Sequence, residues 1–317
     1  MSVFLAWKIT RSLGIVLAVT LLTQGLLDLV PGSIAAAILG PQATAAQINA
    51  LNVTLGANRP FLVRYFSWLG NALHGKLGSS AVNGQPVASA ILSALPVTAE
   101  LVILSVLLAV VLALVTGIAA ARRPGGKVDA LIGAITSASL SLPAFIVAPV
   151  LAYIFAVQLG WAPVLGYVSL TTSIGGNLRS VALPVVAIAL PEFAVLQRLL
   201  RADLAATLSE DYIDAARGRG VPEQRILVRH ALRPSLISLM TATGITIGRL
   251  LSGTVVVEVF FSLPGIGSLL VRSIQARDLI MVQGCVVVIA VVYVVINLVV
   301  DMSYSVVDPR IRIQAIA

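Results

Sequence analysis

Apolar residues come in six long runs, roughly Ile9 to Val30, Val97 to Ala121, Leu131 to Val157, Val181 to Leu200, Leu236 to Val257 and Leu279 to Val300. Each is near the ~20 residues that a helix needs to cross the hydrocarbon core of a bilayer, so the pattern predicts six transmembrane helices. Two of the intervening stretches are long enough to hold structure of their own. In residues 31–96, Phe61, Tyr65, Trp68, Leu69, Ala72 and Leu73 recur at helical spacing, which predicts an amphipathic helix at the membrane surface. In residues 204–235 lies a polar island, Ser209 to Pro234. There Arg217, Arg219, Arg225, Arg229 and Arg233 crowd in with Glu210, Asp211, Asp214 and Glu223.

Composition narrows the class. The chain is 58% hydrophobic, with a mean hydropathy of +1.01, a balance that no soluble domain of this length sustains. Its low aromatic content favours helices over a barrel with aromatic girdles. The fold class expected is therefore all-α, a single polytopic membrane domain over residues 1–317. Cys285 is alone and sits inside an apolar run, which excludes a disulfide framework and a thiolate metal site.

The net charge of +8 is explained by basic residues gathering in cytoplasmic loops rather than by nucleic-acid binding. With both termini inside, the cytoplasmic pieces hold Lys8, Arg11, Arg122, Arg123, Lys127, the arginines from Arg198 to Arg233, Arg310 and Arg312. The outer pieces hold Arg59, Arg64, Lys76, Arg179, Arg272 and Arg277. The polar island is thereby expected in the cytoplasm. The first run also reads as a signal peptide, since Lys8 and Arg11 precede it and Ala35-Ala36-Ala37 follows. Its length and its break at Pro31-Gly32 favour a retained anchor.

Inside the island, Ser209 is expected to cap a helix with Glu210 and Asp211 in its first turn, where carboxylates favour the helix dipole. Ala215 and Ala216 are small enough to admit another surface. The helix should end near Gly218 or Gly220, with Arg217 and Arg219 in its last turn. Pro222 suits the first turn of a second helix, carrying Ile226, Leu227 and Leu232 toward the membrane, with Arg225, Arg229 and Arg233 as its basic complement. Pro234 marks entry to the fifth span. The result is a helix-turn-helix bracket, either a docking surface or a solvated loop. The paired alanines, spaced glycines and capped helix favour docking.

Asp214-Ala215-Ala216-Arg217-Gly218-Arg219-Gly220 resembles the Glu-Ala-Ala-x-x-x-Gly loop of permease subunits of bacterial ATP-binding-cassette importers, with Asp for Glu. The stretch from Arg225 to Arg233 is similar to the dipeptide, oligopeptide and nickel permease subfamily. So are Leu29-Val30-Pro31-Gly32, Leu55 to Pro60, Tyr65 to Gly78, Val255 to Phe260, Pro264 to Gly267 and Asp308 to Arg312, in order and at similar spacing. Departures are Asn58 and Lys76, where the subfamily commonly has Asp, and His230 to Pro234, which alters the broader family's Ile-x-Leu-Pro ending.

The resemblance implies half of a transmembrane pathway in the bacterial inner membrane. Its partners would be a homologous second permease, two ATPases carrying ATP and Mg²⁺, and an extracytoplasmic substrate-binding protein, with no cofactor, metal or catalytic residue on this chain. Asp211, Tyr212, Asp214, Ala215, Ala216, Arg217, Arg219 and Gly220 would form its coupling helix. The charges of Asp214, Arg217 and Arg219 either bind the ATPase or merely solvate the helix. Peptides are the expected solute class, with nickel or other small solutes as the alternative.

Other polar groups in or near spans are costly and often functional. Pro143, Glu192, Gln197, Arg249 and Glu258 are candidates to line the pathway, and Glu100 joins them at the outer edge. Gly244 and Gly248 form a small-x-x-x-small pair for packing helices or a permease dimer. Asp301, Tyr304 and Asp308 suit interfacial hydrogen bonding. Gly70 to Lys76 begins like a phosphate-binding loop, but Leu77 lacks the hydroxyl for Mg²⁺ and no buried strand precedes it. An intramembrane hydrolase needs a nucleophile and base within reach of each other, which His74 outside and His230 in the cytoplasmic loop do not supply. An ATP-independent secondary transporter would not need the bracket.

Overall fold

A computed structural model describes residues 2–29, 35, 39–40, 42–54 and 58–307. Val30-Pro31-Gly32, Leu55-Gly56-Ala57 and Asp308 to Arg312 lie outside the described residues. Among the described residues the chain is helical, with one isolated bridge between Ser79 and Pro86. The helices are α1 (Ser2–Asp28), α2 (Ala45–Thr54), α3 (Phe61–Leu73), α4 (Val87–Ala121), α5 (Lys127–Ser141), α6 (Ala144–Leu151), α7 (Ile174–Leu208), α8 (Asp211–Gly218), α9 (Glu223–Arg225), α10 (Leu232–Gly253), α11 (Val255–Phe260), α12 (Ile266–Gln275) and α13 (Leu279–Val307). Wider π-helical turns follow α6, over Ala152–Gln158, and α9, over Ile226–Ala231.

Four helices among the described residues are long and apolar enough to cross a membrane: Trp7–Asp28, Val87–Ala121, Ile174–Leu208 and Leu279–Val300. The chain is an all-α polytopic membrane protein. The third expected run is not one straight helix, because Lys127–Ser141 and Ala144–Gln158 meet at a bend of 104°. Pro143 is the cause. It supplies no backbone N–H, and its ring holds Leu142 extended at φ −110° and ψ 108°. The fifth expected run is α10, which carries Arg249, followed by the short α11.

The chain forms two compact units. The first comprises Met1–Thr98 and Pro264–Val295. Val87, Ala90, Ile91 and Ala94 of α4 pack there with Ile266 of α12 and Met281 and Cys285 of α13. Gly284 permits this approach, since a Cβ there would collide with the Val87 side chain. Helix α3 seats on α1 through a buried hydrogen bond of 2.9 Å between Tyr65 and Thr20, and through an Arg64–Asp28 ion pair. Phe61, Tyr65, Trp68, Leu69 and Ala72 lie on its more covered face, but Leu73, expected with them, is 80% exposed. The side-chain amide of Gln283 donates to Gln24, a polar link of the kind that fixes helix pairs in lipid. Buried Asp278 ties the loop before α4 to α13 by accepting from Ser80 Oγ and from the backbone N–H groups of Ala81 and Met281.

The second unit comprises Ala99–Leu263 and Ile296–Ala317. Helix α7 is its centre, packed by α5, α6 and α10. Its buried Phe193, Leu196, Leu200 and Leu204 meet Ala109 and Ala113 of α4 and Leu239 of α10. The small alanines let helix backbones approach closely, as helix pairs in lipid require.

Candidate functional site

Helix α7 runs on to Leu208, and this decides how the polar island begins. Ser209 does not cap the next helix as expected, because its hydroxyl bonds back to the Ala205 carbonyl at 3.0 Å, closing the preceding turn. Glu210, extended at φ −79° and ψ 143°, precedes α8 and makes no side-chain cap. Asp211 and Asp214 occupy the first turn of α8 and Arg217 the last, an order that suits the helix dipole. The far end closes in a Schellman motif, with the Gly220 N–H on the Arg217 carbonyl (2.9 Å) and the Val221 N–H on that of Ala216 (3.2 Å). Gly220 has φ +77°, the left-handed region where a Cβ is costly. Pro222 then stands at the cap position before α9, one residue earlier than the expected first turn.

This bracket has a core of its own. Ile213, Ala216 and Ile226 are buried together, with Leu208 and Val221 against them. Leu227 and Ala231 join the main cluster around Leu200 and Leu204, so α8 is fastened to the bundle on both sides. The alanine pair is divided by this packing. Ala216 faces inward, and only Ala215 shares the exposed face with Asp211, Tyr212, Asp214, Arg217 and Arg219. Arg217 donates to Glu223 and Asp214, each at 2.9 Å, and these two carboxylates raise its pKa further above its ordinary value. Arg219 bonds the Ala215 carbonyl at 3.2 Å, and the Tyr212 hydroxyl reaches the His230 carbonyl at 3.4 Å. Much of the charge of the island thus holds the bracket's shape.

Within the bundle, two residues singled out separately prove to be partners, for Arg249 of α10 forms an ion pair with Glu192 of α7. Gln197 is buried on α7, and its Nε2 has no hydrogen-bond partner among the described residues. Glu258 is fully buried and accepts from Thr254 at 3.0 Å, which places it in packing rather than on an open face. Pro143 lies exposed in the bend between α5 and α6. Glu100 accepts from Tyr167 at 2.8 Å; burial and that carboxylate push the Tyr167 phenol up to about 12. Gly244 and Gly248 are buried inside the chain.

Residues 113–313, which include the whole bracket and the Glu192–Arg249 pair, match the family described as binding-protein-dependent transport system inner membrane component. The chain belongs to that family. It is a transport permease of the inner membrane, with several spans, and not an enzyme. Over 312 residues it is 36% identical to a protein of Brucella abortus (strain 2308) provisionally named a peptide transport system permease, covering 98% of this chain and 99% of the relative. It is 34% identical over 312 residues to a provisionally named peptide ABC transporter permease of Sinorhizobium fredii, covering 98% and 100%. It is also 34% identical over 315 residues to the oligopeptide transport system permease protein AppB of Bacillus subtilis, again covering 98% and 100%.

Sequence reasoning missed a further cluster at the bracket end of the permease bundle. Asp129 of α5 accepts from Arg201 of α7 through Nε (2.6 Å) and Nη2 (2.7 Å), and from the Gly125 N–H at 2.9 Å. The signal was present in the opposite charges at the same end of consecutive spans, but charge counting for topology absorbed Arg201 and passed over Asp129.

Proposed function

We propose that this permease forms half of the translocation pathway of an ATP-driven peptide importer and that α8 is its coupling helix. The observation carrying the reading is the bracket: an exposed helix closed by a Schellman turn and rooted in the bundle through Ile213, Ala216 and Ile226. A lever transmits force only if it is rigid and has two arrangements to choose between. Two cytoplasmic ATPases holding ATP and Mg²⁺ would seat this helix and its homologue on a second permease. Their closure would then switch the pathway between inward-open and outward-open states. A binding protein on the outer side would deliver the solute. The distribution of Lys and Arg supports cytoplasmic termini and a cytoplasmic bracket. The names of the relatives support peptides as the cargo.

Gly220→Val provides the test. A Cβ there meets no atom within 4 Å, so the cost is in the backbone, about 1–2 kcal/mol for a left-handed residue. The variant should insert and recover its ATPases on purification, and hydrolysis should proceed while uptake into proteoliposomes falls at least tenfold. Uptake at the wild-type rate would defeat the lever assignment, and failure to recover any ATPase with the wild-type chain would defeat the importer reading.

A further inference from the structure

Helix α12 ends as α8 does, but with a different residue at the decisive position. The Asp278 N–H bonds the Ser273 carbonyl (2.8 Å) and the Arg277 N–H bonds that of Ile274 (3.1 Å), a second Schellman motif. Arg277, at φ +56°, takes the left-handed position that Gly220 takes in the first. A Cβ is costly in that conformation, and glycine is the residue that removes the cost. Nothing local offsets it, since the Arg277 side chain makes no hydrogen bond or ion pair among the described residues. An arginine kept where glycine fits better points to a role for its side chain.

The turn is held from below. Asp278, next in the chain, is buried and accepts from Ser80 Oγ and the Ala81 N–H, which fastens residues 79–86 against it. Val82 and Asn83 of that segment are exposed, as are Arg272, Ile274, Gln275 and Arg277. Charge on these pieces has one sign. Residues 29–98 and 264–277 hold Arg59, Arg64, Lys76, Arg272 and Arg277, and no Asp or Glu. Of the two acids at their borders, Asp28 is paired with Arg64 and Asp278 is buried. The gathering of basic residues in cytoplasmic loops does not account for these cations, which the same Lys and Arg count puts outside.

We propose that Arg277, with Val82, Asn83 and Arg272 to Gln275, forms a docking surface for the extracytoplasmic binding protein, and that Arg277 meets a carboxylate on an acidic face of that partner. Arginine beside apolar and amide groups is the composition of a protein interface. A guanidinium carried on a fixed turn suits one partner carboxylate held through two parallel hydrogen bonds. Lipid headgroups attract any nearby cation and need no such turn. The proposal rests on the importer reading above and adds to it the face that receives the binding protein.

The test uses the assembled transporter, both permeases with their ATPases, in proteoliposomes of zwitterionic lipid and again with anionic lipid added. The probe is the peptide-loaded binding protein that stimulates the wild-type ATPase. Arg277→Gly should raise the binding-protein concentration for half-maximal stimulation about tenfold, the worth of one charge-assisted hydrogen bond. The rate at saturation should stay within about twofold of wild type, and added salt should weaken docking less in the variant than in wild type. Arg277→Lys should restore part of the affinity, and Arg277→Glu should weaken it further. In thermal melts Arg277→Gly should be as stable as wild type or a few degrees more so, because the left-handed cost is gone. Unchanged half-maximal concentration, a lower melting temperature, or loss of the second permease on purification would each overturn the proposal. So would an effect confined to anionic vesicles, which would make Arg277 a lipid contact. If no binding protein stimulates the wild-type assembly, the importer reading itself falls.

Discussion

Asp129 holds two helices through one carboxylate. Hydrogen bonds from Arg201, then from the Gly125 N–H, keep its pKa at about 2, below the ordinary 3.8. A carboxyl group depressed on folding stabilises the fold above its unfolded pKa and loses that contribution as pH falls through the folded value. Stability from Asp129 is therefore complete above about pH 4 and fades toward pH 2. Asp129→Asn should melt a few degrees lower than wild type at pH 7, and the gap between them should shrink steadily as pH falls from about 4 toward 2. A constant gap across that range in thermal melts of the purified permease would refute the linkage. At this scale the sequence was half legible. It marked Glu192 and Arg249 as costly groups, but their pairing depends on the rotation and register of α7 against α10, which no hydropathy pattern encodes. Ser209 was a sound cap by residue type, and lost that role because α7 continued far enough to claim its hydroxyl.

Among helices, close approach is set by glycine. On α13, Gly284 faces Val87 of α4 with no room for a Cβ. Gly284→Ala should cost about 1–3 kcal/mol by overpacking. Adding Val87→Ala should recover part of it, so that the two changes are non-additive in thermal denaturation; simple additivity would contradict the contact. Most elements were readable, because long apolar runs in a membrane protein have little choice but helix. What escaped was geometry within a run. Hydropathy reads Leu131 to Val157 as continuous, yet Pro143 turns it through 104°. Likewise the spacing on α3 marked the covered face well through Ala72, and failed at Leu73, the last residue of the helix. The bracket was legible from Gly220 onward, since few residues other than glycine accept its backbone angles, whereas the inward turn of Ala216 required the packing of Ile213 and Ile226.

For the whole molecule, the family was legible because its motifs are spread along the chain in order, and a match over residues 113–313 needs no single one of them. Orientation is open to direct measurement. Val82 and Gly218 are exposed, while the native Cys285 is fully buried. In spheroplasts, a membrane-impermeant maleimide should label Val82→Cys at once and Gly218→Cys only after permeabilisation, with Cys285 silent in both. The opposite order would invert the topology.

The small core beneath α8 has a consequence for how such transporters diversify. Because Ile213, Ala216 and Ile226 maintain the shape from below, the exposed positions Asp211, Tyr212 and Ala215 carry little of the folding burden. Mutation can remodel that outer face without first unmaking the permease, and under the coupling-helix assignment proposed above that face is the one a change of ATPase would act on. Gene duplication then supplies permeases of one architecture whose exposed α8 faces differ.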